Sequence, residues 1–207
     1  MNFWDKVAGV YDAAQSVNGK VISEMTDMVT RLIPDGAKVL DCAAGTGMLT
    51  IAAAKKAESV LCTDMSEKML AKAKRNVYRQ GLDNVTFDKH NIFSLPEEDE
   101  TFDAVIAGNV LHLILNPEKA VRELYRVTKK GGKLLLPTFV LGKFGSQKHE
   151  LIKNAGIKLY KLLGFNPSCD YTPSSYKEML KGCGIGEVKT KLIRGMLPCC
   201  FAVIYKV

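Results

Sequence analysis

Two carboxylates in matching positions, Asp41 and Asp64, stand where this chain could hold a ligand. Each lies at the end of a short apolar run, Val39-Leu40-Asp41-Cys42 and Val60-Leu61-Cys62-Thr63-Asp64. The first run passes directly into the small-residue turn Ala43-Ala44-Gly45-Thr46-Gly47. Gly45 and Gly47 let the backbone approach a ligand with no Cβ in the way. A strand that ends in such a turn and opens a helix sets a ligand at the carboxyl edge of a sheet, and an Asp closing the next strand can bind both hydroxyls of a ribose. A dinucleotide would fit that pair too, but it would bring a pyrophosphate to the helix N-terminus, beside a third glycine. Thr50 stands in the place of that glycine, and Asp41 sets a negative charge nearby. The charge disfavours a pyrophosphate and suits a ligand that carries an ammonium and a sulfonium.

His112, in Asn109-Val110-Leu111-His112, is a candidate general base. A hydrogen-bonded structural histidine is the competing reading. The six cysteines include no C-x-x-C pair and the three histidines are scattered, so no metal site is expected. Reduced thiols are the main reading, with a redox or arsenic-binding role for the late cysteines the lesser one.

The elements that must position these residues follow from periodicity. Phe3, Trp4, Val7, Val10 and Tyr11 recur at helical spacing, and a second helix is expected over Lys20 to Leu32, before the turn Pro34-Asp35-Gly36. Strands are expected at Lys38 to Cys42, Ser59 to Thr63, Val85 to Asp88, Phe102 to Ala107 and Lys133 to Leu136. Helices alternate with them at Met48 to Lys56, Ser66 to Gln80 and Pro117 to Thr128, the last ending in the turn Lys129-Lys130-Gly131-Gly132. Such alternation predicts an α/β fold with a doubly wound, mostly parallel sheet. Glu187 to Ile193 and Cys200 to Tyr205, joined through Gly195 to Pro198, close it as an antiparallel hairpin. One further amphipathic helix is expected at His149 to Phe165.

At 207 residues and 47% hydrophobic, the chain fits one compact domain. No apolar run reaches the ~18 residues of a membrane span, and the opening lacks a basic and apolar leader pattern, which points to the cytoplasm. The net charge of +7 is unevenly placed: Met1 to Val140 is balanced, whereas Leu141 to Val207 has 11 basic residues against 4 acidic ones. That surface could draw an acidic substrate, nucleic acid or a membrane, or could be solvated lysine alone.

Taken in order, Asp41 to Gly47, Asp64, Phe102-Asp103-Ala104-Val105 and Leu124 to Gly132 resemble class I S-adenosylmethionine-dependent methyltransferases. Within that class the pattern, with Trp4-Asp5-Lys6-Val7-Ala8-Gly9-Val10-Tyr11-Asp12 before it, resembles the ubiquinone/menaquinone C-methyltransferase group, over roughly two thirds of the chain. The resemblance implies a Rossmann-like, seven-stranded sheet in a single domain over 1–207, with a helical cap at 1–33 and a substrate-side lid at 142–186. It implies that Asp41 and the turn Ala43, Gly45, Gly47 hold the methionine part of S-adenosyl-L-methionine. Asp64 takes the ribose, Met65 lies on the adenine, Asn91 and Ile92 edge it, and Gly108 and Asn109 close the site. Tyr11 covers the cofactor, and with His112 it is a candidate for the catalytic step. Two residues depart from the group's pattern: Ala43, usually glycine, and Asn91, usually an acid. The acceptor is expected to be a small apolar or aromatic molecule, bound among Phe139, Phe144, Tyr160, Phe165, Tyr171 and Tyr176. Rival readings are a nucleic-acid methyltransferase working through the basic last third, an NAD-dependent oxidoreductase, and a binding module without activity. The lysine-flanked helix also admits transient contact with a membrane surface.

Overall fold

The computed structural model describes residues 4–5, 18–143, 146–162 and 164–207. Tyr11, Phe144 and most of the expected N-terminal helix lie outside them.

A strand covered on both faces needs an unbroken apolar run rather than an alternating one. β1 (Lys38–Cys42) and β4 (Phe102–Ile106) are mostly apolar and buried apart from exposed Lys38 and partly exposed Asp103, and they pair in parallel at the centre of a seven-stranded sheet. From β1 the chain steps outward through α2 (Met48–Ala54), β2 (Ser59–Thr63), α3 (Glu67–Arg79) and β3 (Val85–Asp88), all three strands parallel. It then returns to the other side of β1 as β4 and continues through α4 (Pro117–Val127) to β5 (Thr128–Phe139), again parallel. β7 (Cys199–Tyr205) pairs antiparallel with β5, and β6 (Glu187–Ile193) antiparallel with β7. The order β3-β2-β1-β4-β5-β7-β6 is the expected doubly wound sheet with its terminal hairpin.

Alternate residues of each strand feed two separate cores. Val39, Ala104, Ile106, Leu135, Phe201 and Val203 pack with α2 and with α1 (Gly19–Leu32), whose Val21, Met25 and Val29 are buried. Leu40, Cys42, Val105, Leu134, Leu136, Ala202 and Ile204 pack with α4 and α6 (Pro173–Gly182) on the opposite face. Cys199 and Cys200 are buried neighbours on β7 that face different cores, and burial pushes both thiols up, Cys200 to about 11. Neither is suited to nucleophilic or metal chemistry.

Three expectations are corrected. Lys129 to Gly132 does not end one element before another begins: helix passes straight into β5, and these residues form an irregularity where the β4–β5 register shifts. The late helix is α5 (Gln147–Leu162), beginning and ending earlier than the apolar spacing suggested. Residues beyond it hold a helix that the periodicity did not reveal, α6, started by a capping box between Thr172 and Ser175 with Pro173 in its first turn. Tyr176 of α6 is fully buried and its hydroxyl donates to the Leu136 carbonyl at 2.9 Å, while Tyr171 packs on it at 5.2 Å. These two tyrosines belong to the core.

Thr172→Ala removes the oxygen that accepts the Ser175 N–H. It should cost about 1 kcal/mol in urea unfolding followed by circular dichroism, with an unchanged denaturant slope.

Candidate active site

Where the chain reverses its direction of winding, β1 and β4 lie side by side and the connections leaving them diverge, opening a crevice at their carboxyl ends. The turn after β1 is wound through the left-handed region at alternate residues: Ala43 at φ 55°, Gly45 at 57° and Gly47 at 82°. The Ala44 N–H donates to the Thr63 carbonyl at 2.9 Å and the Gly45 N–H to Asp64 Oδ2 at 2.9 Å, so the turn is tied to the end of β2. Gly47 begins α2, and a Cβ there would lie 3.0 Å from Ala73 Cβ of α3. The absence of a Cβ there allows the close packing of α3 on the turn. Ala43 holds a left-handed conformation that costs a non-glycine residue roughly 1–2 kcal/mol.

Asp41 is fully buried. Its Oδ2 accepts from Thr50 Oγ1 at 2.6 Å, and its Oδ1 has no partner among the described residues. Burial pushes its carboxyl up to about 7, with the Asp64 charge adding and the Thr50 hydrogen bond opposing. Across the crevice Asn109, itself left-handed at φ 54°, is anchored by its N–H to the Pro137 carbonyl at 2.7 Å, and its Oδ1 is likewise unpartnered. Both side chains line one narrow cavity with Ala43, Thr46, Leu49 and Gly108. Each unsatisfied buried acceptor costs about 1–3 kcal/mol, so two in one cavity ask for a ligand rich in N–H donors.

Through Ala43, Gly108 and Asn109 this cavity joins a second cleft, lined by Trp4, Gly45, Asp64, Met65, Met69, His90, Ile92, Phe93, Val110, Leu113 and Ile114. Asp64 is nearly buried, and burial raises its carboxyl against the backbone N–H groups that lower it. Its Oδ1 accepts from the Ser66 N–H at 2.8 Å, which leaves a further lone pair on each oxygen. Ser66 caps α3 through Met69 N and donates to Asp5 Oδ1 at 2.6 Å. Met65 is half-exposed over the cleft and Ile92 is buried in its wall. Asn91 is exposed, and its Oδ1 accepts from the Phe93 N–H at 3.0 Å. One lone pair of that oxygen is thus used within its own turn, and the other remains open.

His112 lies apart from both linings. It is fully buried, its Nε2 is 3.1 Å from the Tyr160 hydroxyl, and burial lowers its imidazolium to about 3. A base that weak and that enclosed suits packing rather than proton abstraction at neutral pH. It belongs to a run of rings: Phe139 at 5.8 Å, Tyr160 at 6.1 Å, then Tyr160 stacked on Phe165 at 4.6 Å, and Phe165 meeting Trp4 of the cleft at 6.0 Å. The sequence reading missed Trp4, Thr50, Met69, His90 and Phe93 as site residues. Thr50 was visible as the substitute for a glycine; the others are apolar or polar residues whose convergence depends on the fold.

Asp41 and His112 oppose each other in acid. A carboxyl raised to about 7 makes the folded chain gain stability as pH falls from 7 towards 4, because the folded state then binds the extra proton. An imidazolium lowered to about 3 makes it lose stability as pH falls below about 6.5, because the unfolded state binds it. Asp41→Asn removes the first effect alone. Without ligand the variant should be more stable than the parent at pH 8, and should lose stability more steeply between pH 6.5 and 4, as followed by thermal unfolding across that range.

A family described as a methyltransferase domain matches residues 33–166. The chain is 32% identical over 143 residues to a demethylmenaquinone methyltransferase of Clavibacter sepedonicus, covering 66% of this chain and 56% of that protein. It is 35% identical over 143 residues to the ubiquinone/menaquinone biosynthesis C-methyltransferase UbiE of Hydrogenovibrio crunogenus, with the same coverage of 66% and 56%. The chain thus spans little more than half the length of these relatives. Its fold superposes with a TM-score of 0.65 on a SAM-dependent methyltransferase from Aquifex aeolicus, at 22% identity over 88% of this chain and 89% of that one. With more than half of its residues matched and the sheet order and crevice described above, the chain belongs to the methyltransferase domain family.

Proposed function

We propose that this protein is an S-adenosylmethionine-dependent methyltransferase acting on a small, flat or apolar acceptor. The observation that carries the reading is the pair of unpartnered buried acceptors, Asp41 Oδ1 and Asn109 Oδ1, at the inner end of a cleft flanked by Asp64. The ammonium of a methionine moiety supplies donors to both, and a positive ligand restores charge to a carboxylate that burial otherwise holds near half-protonation at neutral pH. Asp64 uses its remaining lone pairs on the ribose, and Met65, Ile92 and Phe93 form the apolar walls of the base. A pyrophosphate placed beside Asp41 would meet repulsion at low dielectric, which disfavours a nicotinamide dinucleotide.

S-adenosylmethionine supplies an already activated methyl group on a sulfonium. The chain's own work is alignment and the exclusion of water. The acceptor side of this reading lies by the ring run Trp4, Phe165, Tyr160 and Phe139, beside α5. A flat apolar acceptor accords with the names of the relatives, which concern demethylmenaquinone and ubiquinone/menaquinone. His112 acts by holding Tyr160, not as the base. Part of the basic last third is engaged within the protein: Lys153 pairs with Glu150, Lys189 with Glu187 and Lys191 with Glu24, while Lys206 donates to the carbonyls of Tyr125 and Arg126.

Calorimetric titration with S-adenosylmethionine, S-adenosylhomocysteine and NAD tests this. Both sulfur nucleosides should bind the parent, and Asp64→Ala should weaken them at least about tenfold by removing charged acceptors. Binding of NAD, or of none of the three, would overturn the reading. Once an acceptor is turned over, kcat should show no ionisation near pH 6.5, since His112 stays neutral down to about 3.

A further inference from the structure

Helix α5 sits on the protein the wrong way round for a helix in water. Its seated face is made of Lys153, Gly156, Tyr160 and the partly buried Ile157. Lys153 is buried on Glu150 and on the Gly142 carbonyl, and Tyr160 reaches His112. Gly156 lies so close to the β6–β7 connection that a Cβ would come within 2.7 Å of Met196 Cγ. Its outer face carries Leu151, Ile152, Ala155, Leu159 and Leu162, spaced to form one stripe. Four of the eight large hydrophobic side chains exposed among the described residues belong to that stripe, Leu162 at 82% and Leu151 at 72%. An amphipathic helix of a free-standing protein turns its apolar stripe inward.

We propose that this face docks on an anionic lipid surface. Exposed Lys158 and Lys161 run along one flank of the stripe, and exposed Lys143 precedes the helix. Glu150, the helix's only carboxylate, is bound to Lys153 and neutralised. An apolar stripe flanked by lysine is what headgroups and acyl chains accommodate together, with the helix lying in the interface. A second copy of the chain would bring further lysines to the same seam instead of neutralising them. At 16 residues α5 is about 24 Å long, and among the described residues no helix is long and apolar enough to cross a bilayer. Its opposite face fronts the ring cluster, so docking sets the acceptor side of the site against the lipid. The proposal is independent of which acceptor is methylated.

The test is flotation of the full chain with vesicles of phosphatidylcholine, alone or with added phosphatidylglycerol. The parent should float with the anionic vesicles only, and less so as salt is raised. Leu151→Ser with Leu162→Ser, and separately Lys158→Glu with Lys161→Glu, should each reduce the bound fraction at least about tenfold. Both variants should keep the parent's affinity for S-adenosylhomocysteine, which reports an intact fold apart from lipid binding. Failure of the parent to float, or undiminished flotation of both variants, would overturn the proposal. So would sedimentation showing a dimer that the serine variant dissociates while neither protein binds vesicles.

Discussion

β1 is hydrogen-bonded along both edges and covered on both faces, so nothing polar can leave it except at its ends. The rest of the structure follows from that constraint. The chain must exit at Cys42 in a turn tight enough to clear β4 and wide enough to start α2 over the sheet. It does so with three left-handed residues in five, two of them glycines. The backbone N–H groups freed by that turn go to Thr63 and Asp64 at the end of β2, so one knot of hydrogen bonds fixes the floor of the crevice and the N-terminus of α3. Asp64 is therefore a structural tie at the very position proposed to take the ribose.

Asp41 shows the cost that such a site carries. A carboxylate with no cation beside it among the described residues, in a fully buried position, has its charged form opposed by desolvation and only partly supported by Thr50. Evolution of a stable empty fold alone would replace it with an amide or a leucine. Its presence beside another unpartnered acceptor, Asn109, makes sense when a positively charged ligand is part of the working protein. The same logic demotes His112. A histidine with no charged neighbour, enclosed by Phe139 and Tyr160, is kept neutral by its surroundings and serves as a hydrogen-bonded spacer between the sheet and α5.

Much of this was legible in the order of residues. The central parallel strands announce themselves by mostly apolar runs, the turn by its glycines, and α4 by Pro117 at its start, because each signal is local and each follows from backbone sterics or two-sided burial. α6 was missed although Thr172-Pro173 is an N-cap followed by a first-turn proline, because its apolar residues are few and the surrounding Ser and Cys read as loop. The β5 irregularity was missed for the opposite reason: Gly131-Gly132 looks like a turn, and only the pairing with β4 on one side and β7 on the other keeps the chain extended through it.

Sequence by itself determined the fold class, the two acidic strand ends and the family to which they belong, since these rest on periodicities and spacings that no tertiary contact can alter. Tertiary structure alone decided what the side chains do. It buried Asp41 and left one of its oxygens bare, turned the Asn91 oxygen to its own backbone, closed His112 away from the cleft, and placed the apolar stripe of α5 outside. Whether a polar atom is satisfied, and which face of a helix meets water, depends on groups far apart along the chain, such as Lys153 with Gly142 or Asn109 with Pro137. Spacing along the chain carries no record of those distances.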